Sequence, residues 1–165
     1  MEQLCINATK TEKTVKNCAF TGHRVLQSDF SFETLEREVR KAIERGADTF
    51  YCGMAIGFDL LAAETVLQLK TEYGNVKLIA CVPFYGQEKN FSVKDKERYR
   101  SILKSADEKV ILSDEYYRGC MQVRNKYMAD RADLLITYCK KTTGGTAFTV
   151  KYFQKKLPNG EIVYI

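Results

Sequence analysis

No apolar run in this sequence comes near the ~20 residues that a membrane-spanning helix requires. Its opening stretch, MEQLCINATKTEKTVK, lacks the unbroken apolar segment of a signal peptide. A cytoplasmic location and no membrane partner are the expectations. Histidine occurs once, at position 23, and none of the six cysteines forms a C-x-x-C pair. With no ligand cluster to hold one, neither zinc nor any other metal or cofactor is expected. Cys18, Cys52, Cys81 and Cys139 each lie in or beside an apolar, strand-like run, so they read as reduced core thiols rather than disulfide partners. A G-x-x-x-x-G-K-[ST] loop and a G-x-G-x-x-G fingerprint are both missing, which argues against P-loop and conventional NAD-dehydrogenase chemistry.

What is present is an ordinary globular composition. Of the 165 residues, 45% are hydrophobic and 28% charged, which suits one domain with a sizeable core. The formal net charge of +5 accommodates an anionic ligand without demanding nucleic acid. Strand-like and helix-like patterns alternate along the chain. Strands are predicted at 17–21, 49–52, 76–82, 109–112, 133–138 and 161–165, and helices at about 31–45, 57–72, 93–105, 119–131 and 144–155. In the first helix Phe32, Leu35, Val39, Ala42 and Ile43 share a face, with Ser31 as a cap and Gly46 as a stop. This alternation predicts an α/β domain over 17–165: a Rossmann-like, doubly wound, mostly parallel sheet with helices on both faces. Residues 1–16 read as a polar N-terminal arm.

In such sheets ligands bind beyond the carboxyl ends of the strands, where the strand order reverses. With the order 3-2-1-4-5, the loops Thr21–Arg24, Gly53–Gly57, Asp114–Arg118 and Thr142–Thr146 are expected to share one cleft. Their chemistry suits an anion. Gly22 permits a tight turn or a close approach. Arg24 is a permanent forked donor, and His23 can donate, accept or stack. Gly53 and Gly57 flank a turn into a helix whose first N–H groups favour phosphate, and Asp59 in that first turn can accept from ribose hydroxyls. Thr143, Gly144, Gly145 and Thr146 form a second such turn. Phe84 could stack on a base. Arg124 or Asn125 could face the cleft, whereas Met128 reads as core. Each has a blander account: a loop histidine, a surface arginine, a dipole-complementing aspartate, a plain glycine turn. Glu64 reads as a solvated or ion-paired helix residue before it reads as a catalyst. Lys140, Lys141, Lys151, Lys155 and Lys156 make the C-terminal part basic, most simply as a solvated face.

Taken together, T-G-H-R (21–24), G-M-A-x-G-x-D-x-x-A-A-E (53–64), V-P-F (82–84), R-N (124–125), A-D (129–130) and G-G-T (144–146) resemble the SLOG superfamily. That group joins the Smf/DprA proteins and the Lonely Guy enzymes, and the resemblance is nearest to its YpsA-like branch of bacterial and phage proteins. It implies a Rossmann-like fold and a pocket for nucleotides or nucleotide-derived molecules. DprA-like proteins bind single-stranded DNA, and Lonely Guy enzymes cleave an N-glycosidic bond using P-G-G-x-G-T-x-x-E. Here the glycine loop lacks the proline, and Thr149 stands where that motif has its glutamate. The expected role is therefore recognition of a small nucleotide-derived ligand, ADP-ribose-like for instance, in a sensor, regulator or sequestering protein. Nucleic-acid binding is expected to be weak or missing, and a homo-oligomer remains open. The alternatives are N-glycoside or nucleotide hydrolysis, with Asp59 or Glu64 as the carboxylate, and DprA-like binding of single-stranded DNA.

Overall fold

The structure, a computed structural model, describes residues 13–165. Among the described residues there are six strands: β1 (Asn17–Gly22), β2 (Thr49–Cys52), β3 (Lys77–Val82), β4 (Glu108–Ile111), β5 (Leu134–Tyr138) and β6 (Glu161–Tyr164). They alternate with five helices: α1 (Phe32–Glu44), α2 (Phe58–Lys70), α3 (Val93–Ser105), α4 (Cys120–Arg131) and α5 (Gly145–Lys156). A short 3-10 helix, Gln87–Asn90, follows β3. Every strand pairing is parallel. The fold is thus α/β and Rossmann-like. Most of the expected polar arm lies outside the described residues. At its described end Val15 is buried, and its N–H donates to the Arg45 carbonyl at 3.3 Å.

Period-two alternation builds the two core layers. On β1, Cys18 and Phe20 face one layer and Ala19 the other; on β3, Leu78, Ala80 and Val82 face one and Ile79 and Cys81 the other. Helices α1, α2 and α3 cover the first layer, and α4 and α5 the second. Local signals set the helix starts: Ser31 accepts from the Thr34 N–H at 3.1 Å, and Ser92 from the Asp95 N–H at 3.1 Å. On α1 the inward residues are Leu35, Val39, Ala42 and Ile43. Phe32 departs from the expected face and is 62% exposed. It lies in the first turn, where its ring meets the edge of Phe30 instead.

The strand order is β4-β3-β2-β1-β5-β6, which corrects the expected 3-2-1-4-5. Three successive βαβ units step in one direction, each strand landing beside the last, so β4 becomes an outer edge. The chain then crosses to the opposite face through α4 and lays β5 against β1. The reversal of order therefore falls between β1 and β5. The loop after β4 opens beside that of β3, away from this crevice.

Candidate functional site

Over the carboxyl ends of β1 and β5 lies a cavity of about 290 Å³. Thr21, Gly22, His23, Arg24, Asp59, Arg124, Asn125, Gly145 and Thr146 line it, together with Phe20, Ala55, Met121 and Met128. Four separate segments of chain meet here, and each is held by a different contact.

The β1 loop is fixed from two sides. A Cβ on Gly22 would lie 2.3 Å from the Phe58 ring, so only glycine lets β1 pass this close to the start of α2. The Phe58 N–H donates to the His23 carbonyl at 3.1 Å. Gly57, with φ +78°, would place a Cβ 2.2 Å from the Arg24 carbonyl oxygen. On the other side, His23 Nε2 accepts from the Lys140 N–H at 2.8 Å, tying this loop to the one after β5. Burial and the charges of Lys141 and Lys140 lower the His23 pKa, favouring the neutral imidazole that this bond requires. The Tyr138 hydroxyl donates to Asp29 at 2.8 Å and accepts from the Gln27 N–H, and Lys140 pairs with Asp29 at 3.0 Å. Neither Asp29 nor Tyr138 carried a sequence signal for this tether.

The floor holds two buried charged groups. Asp59 is 5% exposed and accepts from the Ala55 N–H at 3.2 Å. Burial pushes its carboxyl up from 3.8 to about 6, against the opposing pull of Arg124, that N–H and Arg24. Arg124, also 5% exposed, donates from Nε to Asn125 Oδ1 at 2.8 Å and from Nη1 to the Gly53 carbonyl. A Cβ on Gly53 would sit 2.7 Å from the Arg124 guanidinium carbon. Gly53 and Gly57 thus seat Arg124 and Arg24, and neither lines the cavity itself.

The opposite wall is the start of α5. Gly144 caps the helix with φ +95° and is not a lining residue, whereas Gly145 and Thr146 are. The first N–H groups of a helix have no intrahelical acceptor and carry its positive end. Thr149, one turn on, is buried, and its hydroxyl donates to the Gly145 carbonyl at 2.8 Å. Glu64 does not line the cavity: it forms a two-pronged ion pair with Arg98 of α3, at 2.8 and 2.9 Å.

A second, more apolar cavity of about 540 Å³ adjoins the first, and Arg24, Ala55 and Met121 line both. Phe84, Phe91, Tyr116 and Gln87 form its walls. Phe84 and Tyr116 meet edge to face with ring centres 5.4 Å apart. Phe84 thus belongs to this lobe rather than to the polar one. The β4 loop contributes through Tyr116, but to the lobe beyond β3. No cluster of metal-ligating side chains occurs among the described residues, and no described helix is long and apolar enough to cross a membrane.

A parallel sheet with a polar cavity at its switch point, faced by a glycine-led helix start, defines a Rossmann-like domain with a candidate ligand site. Residues 27–163 match the YspA SLOG family, and the chain belongs to it. Among curated relatives, it is 26% identical to the UPF0398 protein YpsA of Bacillus subtilis over 86% of each chain. It is 30% identical to a UPF0398 protein of Brevibacillus brevis, over 78% of this chain and 70% of that one. Of solved structures, DNA processing protein A from Streptococcus pneumoniae superposes with a TM-score of 0.64 at 17% identity, and that from Helicobacter pylori with 0.65 at 16%. The latter protein has a single-stranded DNA binding mode. These alignments take in 90% and 92% of this chain but only 50% and 65% of the longer DprA chains. At such identity the likeness is one of fold.

Proposed function

We propose that this protein binds a nucleotide or nucleotide-derived small molecule, of the ADP-ribose-like class, and acts as a sensor, regulator or sequestering protein. One observation carries the reading: the start of α5, at Gly145 and Thr146, faces Arg24 and His23 across a single cavity. Free helix N–H groups, a helix dipole and a guanidinium together favour a phosphate. Asp59, beneath them, suits a ribose hydroxyl. Thermal shift with AMP, ADP-ribose, NAD, cyclic dinucleotides and a short single-stranded DNA is the test. A ligand at about a hundred times its dissociation constant adds roughly 2.7 kcal/mol of stability. Absence of any shift with the small nucleotides overturns the reading.

A second reading, single-stranded nucleic acid, rests on a different face. Lys126, Lys151, Tyr152, Lys155, Lys156 and Phe148 line a surface hollow of about 630 Å³ on α4 and α5. The Phe148 and Tyr152 rings lie nearly parallel, 6.3 Å apart. Aromatic faces among lysines suit stacked bases. Binding there would weaken steeply with salt and would fall in Lys126→Ala/Lys155→Ala. Binding in the β1–β5 cavity would not respond to that change. Hydrolysis of an N-glycosidic bond remains the enzyme alternative. It requires base release from nucleoside monophosphates that disappears in Asp59→Asn while binding persists.

A further inference from the structure

We infer that the apolar lobe beside the polar cavity is a base subsite, and that it selects a purine carrying an exocyclic amine. The inference rests on the nucleotide reading above and adds to it the identity of the ring. The two lobes meet at Arg24, Ala55 and Met121, so a ligand with its phosphate at Gly145 and Thr146 has a continuous path into the second. That lobe offers the faces and edges of Phe84, Phe91 and Tyr116. Tyr116 is 63% exposed, so its ring keeps free surface for a partner after meeting Phe84. Offset or edge-on contact with such rings suits a flat heterocycle. The pair of cavities falls within the size usual for small-ligand sites, about 300–1,000 Å³.

Gln87 supplies the selectivity. It forms part of the lobe's wall and is 7% exposed. Its amide orientation is fixed, because Nε2 donates to the Gly53 carbonyl at 3.1 Å, an oxygen that could not face Oε1. Oε1 is therefore left as an acceptor, buried and without a hydrogen-bond partner among the described residues. A buried acceptor without a donor is unfavourable, and a ligand N–H relieves it. The terminal amide torsion of glutamine is broad and soft, so a ligand donor in the lobe is expected to turn Oε1 toward itself. An amino group satisfies Oε1. A ring edge bearing only acceptors or C–H leaves it unsatisfied and is disfavoured.

Isothermal titration with AMP, purine riboside 5′-monophosphate (the same ring without the amine) and ribose 5-phosphate tests this. The expected wild-type result is AMP binding at least tenfold tighter than either of the others. Gln87→Leu should bring the ratio of AMP to purine riboside 5′-monophosphate near one. Phe84→Ala should shrink the ratio of AMP to ribose 5-phosphate. If Gln87→Leu fails to melt cooperatively, Gln87→Met, of closer length and flexibility, replaces it. Equal binding of AMP and ribose 5-phosphate overturns the base subsite while leaving the phosphate reading standing. AMP and purine riboside 5′-monophosphate binding alike in the wild type, or an AMP preference that survives in the Gln87 variant, overturns the assignment to Gln87. Binding of none of the three overturns this inference, and the nucleotide reading falls with it only if ADP-ribose, NAD and the cyclic dinucleotides also give no thermal shift.

Discussion

Asp59→Asn keeps the shape of the side chain and an acceptor for the Ala55 N–H but removes the charge, and it should stabilise the protein at neutral pH. In the folded state burial raises the carboxyl pKa from 3.8 to about 6. The folded state therefore holds this proton more tightly than the unfolded chain does. The associated stability is fully present below pH 3.8 and is lost as pH rises through 6. At about 1.4 kcal/mol per pH unit, the wild type forfeits roughly 3 kcal/mol by pH 8 that the asparagine variant keeps. Arg124 pulls the other way, since it too is buried and loses a counter-charge in the variant. That attraction already opposes the rise in the Asp59 pKa, and desolvation outweighs it. In melting temperature, roughly 3 kcal/mol is about 6–12 °C for a chain of this size. Thermal and urea unfolding of both proteins from pH 4 to pH 8 should give curves that converge at the acid end, separate between about pH 4 and pH 6, and run parallel above that. Other carboxylates titrate in both proteins, so the difference isolates Asp59. A variant less stable than the wild type at pH 8 would falsify the argument, because attraction between Asp59 and Arg124 would then exceed the cost of burying the carboxylate. The proposed ribose-binding role of Asp59 would give the chain a reason to keep a carboxylate at such a cost.

Arg24→Ala should weaken a phosphate-bearing ligand by about 1.5–3 kcal/mol with little change in melting temperature, since Arg24 is exposed; equal affinity in calorimetry would remove it from the site. Gly57→Ala, at φ +78° and against the Arg24 carbonyl, should cost about 1–3 kcal/mol of stability in urea titrations and weaken the ligand as well. Glu64→Gln should lose only about 0.2–1 kcal/mol, because its pair with Arg98 is partly solvated; loss of ligand binding in that variant would return Glu64 to the site. His23, held neutral in the fold, adds stability above its unfolded value of 6.5 that is lost as pH falls through its lowered folded value. Its ring resonances should therefore titrate together with the Lys140 amide in NMR, and independent titration would break the proposed link.

The strand and helix pattern was legible because hydrophobic period and glycine breaks are local properties. Val76–Val82 reads as a strand buried on both faces, and Ser31 as a cap, without any tertiary knowledge. The strand order was not legible because it depends on where α4 lies. The buried side of that helix includes Arg124 and Asn125 beside Cys120, Met128 and Ala129, so no clean apolar stripe announces which face turns to the sheet. Thr21–Arg24, Asp59 and Gly145–Thr146 were visible as turns after strands or the helix starts that follow them, and Arg124 and Asn125 as candidates on a helix. The glycines were visible too, but sequence alone does not separate one that lines a cavity from one that seats a neighbour. Gly53 and Gly57 proved to lie behind Arg124 and Arg24. Gln87 carried no signal at all: it stands among polar neighbours, and only the packed loop shows its amide turned toward Gly53.

The interlock of Gly22 with Phe58, and of Gly57 with the Arg24 carbonyl, makes two distant stretches of sequence inherit each other's freedom to change. A larger residue at 22 is tolerable only with a smaller one at 58, and a side chain at 57 only if the backbone at 24 withdraws. Variation in these motifs should accordingly arrive in pairs. Anyone retuning the pocket for a new ligand would have to redraw T-G-H-R and the G-x-D turn as a single part, with Gln87 tied to it through Gly53, leaving Phe84 and Tyr116 as a separate pair to be changed together.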